Sequence, residues 1–156
     1  MNLIDPDGRQ TSEQRSAALA KAEEYVTQNP GGSFEDGAKG NPGQPVDCSG
    51  LITGVYPNVF AYSSDAWRGT EELLLQTMPR EDFPRRGDLV FFGKYYTHVG
   101  VVTDITEDQI LFTHSGTKNG PVTEAINMDG SGYWAPQVHS FRYKYVSPKI
   151  EQQITE

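Results

Sequence analysis

The hydrophobic period of the chain changes once, at Gly87, and that change restricts the folds open to it. Before Gly87, apolar residues recur at helical spacing. Ala18, Leu19, Ala22, Tyr25 and Val26 form one stripe over 11–28, where Thr11 and Gln14 have capping-box spacing and Asn29-Pro30-Gly31-Gly32 is a stop. Leu51, Ile52, Val55 and Tyr56 form a second stripe that ends before Pro57. A third helix is expected over 65–76, capped by Ser64, with Trp67, Leu74 and Leu75 buried. After Gly87 the apolar runs are short and separated by turn residues: 88–92, 97–102, 109–114, 122–126 and 140–146. Helices first and strands later predict an α+β domain, with N-terminal helices packed on a five-stranded, mostly antiparallel sheet paired as a meander. The domain is expected to span 11–147, between an N-terminal extension over 1–10 and a polar tail over 148–156.

At 156 residues the chain suits one domain with a sizeable core. Its net charge of −8 argues against nucleic acid, because neutralising phosphates needs clustered Lys and Arg. No apolar run reaches membrane-spanning length, and Met1-Asn2-Leu3-Ile4-Asp5-Pro6 lacks the basic and apolar regions of a secretory signal. The single cysteine excludes an internal disulfide and the usual cysteine-based zinc sites.

That cysteine lies in Val46-Asp47-Cys48-Ser49-Gly50, between a loop rich in glycine and proline and the second apolar stripe. Cys48 is therefore expected in the first turn of a helix. The unpaired N–H groups and dipole there favour a thiolate, so a thiolate at neutral pH is predicted. The long loop from Gly31 to Pro45 is expected to wall the nucleophile on one side. A lone cysteine is by default a small core residue. Here it is followed by two histidines on adjacent predicted strands, His98 and His114. His98 would take the thiol proton and return it to a leaving amine, and His114 would fix the tautomer of His98. The Cys48 N–H would be one donor to an oxyanion. Asp47 is either the helix cap or, with Ser49, a substrate-binding residue. His139 has no partner pattern and is read as structural or surface, and Asp88 as part of a turn. Tyr95, Tyr96, Tyr133 and Trp134 either line a groove or belong to the core. A zinc site on His98 and His114 with Asp47 or Asp104 is the weaker alternative, because none of these residues has ligand-motif spacing. The expectation is no metal and no cofactor.

Asp47-Cys48-Ser49-Gly50-Leu51 resembles the nucleophile motif of the NlpC-type cell-wall cysteine peptidases, a papain-like family. Gly87-Asp88-Leu89-Val90-Phe91-Phe92, His98-Val99-Gly100-Val101-Val102 and Phe112-Thr113-His114-Ser115 resemble its first core strand, its histidine strand and the strand of its third polar residue. Gly132-Tyr133-Trp134 with Phe141-Arg142-Tyr143 resembles its closing segment. The resemblance runs from about residue 37 to 146, in family order. It implies a papain-like NlpC-type fold with Cys48, His98 and His114 as a catalytic triad. It also implies a hydrolase of peptidoglycan stem peptides, cutting between D-glutamate and the following diamino acid. Two features depart from the family: no tyrosine precedes the cysteine in the 34–45 region, so a second oxyanion donor is unidentified, and 56–83 follows no family pattern.

Asn2-Leu3-Ile4-Asp5-Pro6-Asp7-Gly8-Arg9 is similar to the segment closing the repeat core of rearrangement-hotspot (RHS) proteins, ahead of their toxin domains. That resemblance implies a secreted or delivered toxin, acting in the periplasm or cell wall and met by an immunity protein. The protein is expected to be a monomer, with the stem peptide as substrate and no nucleic-acid or membrane partner. The alternatives are a papain-like toxin acting on proteins as peptidase, deamidase or acyl-transfer enzyme, and a non-catalytic binding domain.

Overall fold

A computed structural model describes residues 11–29, 34–57, 59–60, 69–95 and 97–144. Among the described residues three α-helices, α1 (Ser12–Thr27), α2 (Cys48–Val55) and α3 (Gly69–Leu75), precede the sheet. Six strands follow: β1 (Thr77–Pro79), β2 (Leu89–Phe92), β3 (His98–Ile105), β4 (Gln109–Gly116), β5 (Gly120–Asn127) and β6 (Val138–Lys144). The expectations for 1–10, Ser64, Asp65, Trp67, Tyr96 and the 148–156 tail lie outside the described residues.

The Thr11 hydroxyl accepts from Gln14 N at 3.0 Å while Gln14 Oε1 accepts from Thr11 N at 2.8 Å, so the capping box that starts α1 is complete. Ala18, Ala22 and Tyr25 are its buried face. The small alanines let α1 lie close to α2, and the Tyr25 hydroxyl donates to Gly40 O at 2.8 Å, tying the helix to the glycine-rich loop.

The sheet order is β1-β6-β2-β3-β4-β5, with every pair antiparallel. The expected α+β architecture with an antiparallel sheet holds, and the strand arrangement differs from the expectation in two details. Only β2 to β5 form a meander; β6 returns across the sheet to pair with β2 on its free side. The sixth strand, β1, then adds to β6 through Thr77↔Lys144 and Pro79↔Arg142. A three-residue strand with a terminal proline carries almost no local signal, and its edge position is where proline is tolerated.

All four residues of β2 are buried because the sheet is covered on both faces. Leu89, Phe91, Val99 and Val101 pack under the helices with Leu51, Ile52 and Tyr25. Val90, Phe92, Val102, Ile110, Phe112 and Ile126 form the opposite layer, against Trp134, Val138 and Phe141. Among the described residues no helix is long and apolar enough to cross a membrane.

Candidate active site

Cys48 is the first residue of α2, and the helix starts there because Asp47 caps it. Asp47 Oδ1 accepts from Gly50 N at 2.6 Å and from the Ser49 hydroxyl at 3.2 Å, while Oδ2 accepts from Gly37 N at 3.0 Å. Both Asp47 oxygens are thus engaged, and Asp47 and Ser49 are buried, although each borders the cavity in front of Cys48. Gly50 is required sterically: a Cβ there would lie 2.5 Å from Ala38 O and 2.8 Å from Asp47 Oδ1. The Asp-Cys-Ser-Gly run is therefore the minimal sequence that lets loop, cap and helix meet at the sulfur.

The cavity before Cys48 has a volume of about 260 Å³. Phe34 and Asp36 of the glycine-rich loop form one wall, Thr70 of α3 another, and Thr97, His98, Ser115 and Thr117 the sheet side. Cys48 is half-buried. Its Sγ lies 3.6 Å from Thr70 Oγ1 and also meets the backbone amides of Val99 and Ser49. Thr70 falls in the segment that matched no pattern, and only the fold carries it to the sulfur.

His98 begins β3 and His114 lies on β4, with His98 Nε2 and His114 Nδ1 2.7 Å apart. Gly100 makes room for this approach, since a Cβ there would sit 2.9 Å from the Phe112 ring and 3.3 Å from His114 Cβ. The His98 ring lies 5.8 Å from that of Phe92 and stacks on Trp134 at 5.7 Å and 20°. Phe112 and Trp134 flank His114 at 4.9 and 5.0 Å. Desolvation, with His114 as neighbour, lowers the pKa of His98 to about 3. Desolvation also lowers that of His114, against an opposing pull from Glu124. Both rings are neutral at pH 7.

Glu124 is the residue that sequence reasoning missed. Its Oε2 lies 2.5 Å from His114 Nε2, completing a line His98–His114–Glu124. In the β4–β5 hairpin Val122 faces His114 and Glu124 faces Phe112, so Glu124 is the diagonal, same-face neighbour of His114. Counting back from the Gly116–Gly120 turn would have found it; read alone, a glutamate in an alternating strand looks like a solvated charge.

Beyond His98, a second cavity of about 420 Å³ runs past His114 and Glu124, between Lys118 on the β4–β5 turn and Tyr133 and Trp134. Tyr95 lies away from it on an exposed turn, and His139 is exposed on β6 beside Ser140. Among the described residues no group of three or more His, Cys, Asp or Glu side chains is placed to hold a metal ion.

The expected thiolate is corrected. Burial pushes the Cys48 thiol up, and the Thr70 hydroxyl and the Val99 and Ser49 amides only partly offset it. The resting pair is thiol and neutral imidazole, so the sulfur needs a base. Alkylation of Cys48 should therefore track a pKa above the ordinary thiol value of about 8.5. Thr70→Val should raise it further, because that hydroxyl is the largest single downward pull. A labelling midpoint well below that of a free thiol would restore the thiolate.

A cysteine at a helix N-terminus, set against strand-borne histidines on an antiparallel sheet, defines the papain-like class of domain. The particular family follows from comparison: NlpC/P60 matches residues 31–143, and the chain belongs to the NlpC/P60 family. Among solved structures, Ly7917 bound to "the hydrolyzing product of MDP" superposes with a TM-score of 0.53 at 13% identity. That alignment covers 84% of this chain and 63% of the other, so this chain spans less than two thirds of that protein. The NlpC/p60 domain of the peptidoglycan hydrolase SagA aligns at TM-score 0.47 and 21% identity, covering 71% of this chain and 88% of SagA's. The peptidoglycan hydrolase RipB of Mycobacterium tuberculosis aligns at 0.49 and 19%, covering 94% and 75%. No curated protein matches.

Proposed function

We propose that this protein is a cysteine endopeptidase of peptidoglycan stem peptides, cutting the amide bond between D-glutamate and the following diamino acid. The observation that carries the reading is the single cavity shared by Cys48 and His98, with His98 Nε2 committed to His114 and Nδ1 left as the free ring nitrogen. In this reading His98 Nδ1 removes the thiol proton as Sγ attacks the carbonyl. The Cys48 N–H, which has no intrahelical acceptor in the first turn, donates to the oxyanion. The C–N bond then breaks, His98 returns its proton to the amine, and water hydrolyses the thioester with His98 again as base. Asp47 holds the entrance of α2, and Ser49 packs beside it.

The leaving amine must lie on the His98 side of the sulfur, so the diamino acid extends into the larger cavity. Lys118 there suits a substrate carboxylate and Trp134 offers an apolar wall. Family membership supports a peptidoglycan substrate. A second reading keeps Cys48 but makes the chain a delivered toxin, with an immunity protein over the cavity mouth; the RHS-like Asn2–Arg9 segment favours it.

The test is digestion of purified sacculi, with soluble products read by mass spectrometry beside Cys48→Ala. Stem-peptide fragments ending in D-glutamate, present only with Cys48, are expected. No release from several wall chemistries, by protein whose Cys48 still alkylates, would move the assignment to a protein substrate.

A further inference from the structure

We propose that Glu124 is a positioning residue: its carboxylate, acting through His114, sets the tautomer of His98 and leaves the basic lone pair on His98 Nδ1. The inference rests on the reading of His98 as base and follows from counting protons along the line. An ionised carboxylate can only accept, so at 2.5 Å His114 Nε2 must carry the hydrogen. A neutral imidazole has one N–H, so His114 Nδ1 is an acceptor. At 2.7 Å from it, His98 Nε2 must be the donor. His98 Nδ1 then carries no hydrogen and can receive the proton from Cys48.

Without the carboxylate the line loses its direction. Two neutral histidines in contact are equally satisfied with both hydrogens moved, His114 Nδ1–H donating to His98 Nε2. In that arrangement His98 carries its hydrogen on Nδ1 and cannot act as base. A carboxylate also stabilises the imidazolium that forms when the thiol proton arrives, which two buried neutral rings do poorly. The Glu124 side chain is 42% exposed and borders the larger cavity, while its Oε2 faces His114. Among the described residues, the other ionisable groups bordering the two cavities are Asp36, Asp47, Cys48, Lys118 and Tyr133.

The test uses Glu124→Ala and Glu124→Gln with two readouts. Nitrogen NMR of the histidine rings needs no substrate: the parent protein should show His98 and His114 both protonated at Nε2. Glu124→Ala should give a mixture at His98. With an L-Ala–D-Glu–diamino acid stem peptide, kcat should fall roughly 10- to 100-fold at unchanged KM, by analogy with the loss of a carboxylate behind a metal-bound histidine. Glu124→Gln should fall between, because its amide can present either an acceptor or a donor to His114. A His98 tautomer unaltered in Glu124→Ala, in protein that melts like the parent, would overturn the proposal. If the parent leaves the peptide uncut, the substrate reading fails while the NMR still decides the role of Glu124.

Discussion

Replacing His98 by alanine is expected to lower kcat/KM on a stem peptide by about 10³-fold or more, close to 4 kcal/mol of transition-state stabilisation. The size follows from the state of the sulfur. Were Cys48 a standing thiolate, loss of His98 would cost acylation only its acid step. Burial holds the thiol protonated, so acylation needs His98 first as base and then as acid. The sulfur's contacts with Thr70, Val99 and Ser49 do not involve the imidazole, so iodoacetamide should still label Cys48 in His98→Ala. The pH dependence has a defined sign. His98 stays neutral until pH falls toward 3, and the thiol stays protonated beyond its ordinary value, so kcat/KM should be flat from about pH 5 to 8. In His98→Ala the residual rate should instead climb with pH, as solvent hydroxide makes the thiolate. A loss under tenfold, or a parent profile bending near the ordinary histidine value of about 6.5, would count against His98 as base.

Elements set by local signals were legible before the fold. The Thr11/Gln14 box, the stripe through Ala18, Ala22 and Tyr25, and the Asp47 cap each act within one turn, and each appears where its residues predict. His98 and His114 are brought side by side by the β3–β4 pairing, which the turn between them makes local. What escaped depends on distant chain. Strand β1 exists because β6 offers it an edge, and β6 lies beside β2 because a strand buried on both faces needs a neighbour on each side. The thiolate was expected from the helix terminus alone. The opposing desolvation comes from packing of Cys48 against the core under the helices, and it leaves the thiol above its ordinary value. Glu124 and Thr70 have ordinary local readings, and only pairing register and helix packing deliver them to the site.

Asp88→Ala is expected to cost about 3–5 kcal/mol of stability, roughly 10 °C in Tm for a domain of this length. The sequence reads Asp88 as part of a turn, yet its side chain is fully buried where three parts of the fold meet. Oδ1 accepts from Arg15 Nη1 of α1 at 3.0 Å and from Arg80 Nη2, just after β1, at 2.9 Å. Oδ2 accepts from Arg80 Nε at 2.5 Å and Arg85 N at 2.8 Å. The Arg80 side chain is 7% exposed, so its guanidinium cannot be rehydrated without opening the structure, whereas Arg15, 19% exposed, keeps its bond to Arg86 O. The penalty is therefore mainly that of the buried Arg80 cation losing its counter-charge, rather than the worth of one ion pair. Arg80 is also held over the Tyr143 ring at 4.5 Å, which resists its escape to solvent. Asp88→Asn keeps the shape and one acceptor oxygen, so it should lie between the parent and alanine. Asp88 borders neither cavity, so kcat per folded molecule should hold at low temperature while the melt moves. A melt displaced by under about 3 °C in Asp88→Ala would mean that the arginines find water or other partners, and that the Asp88 carboxylate is not what fastens the N-terminal helix to the sheet.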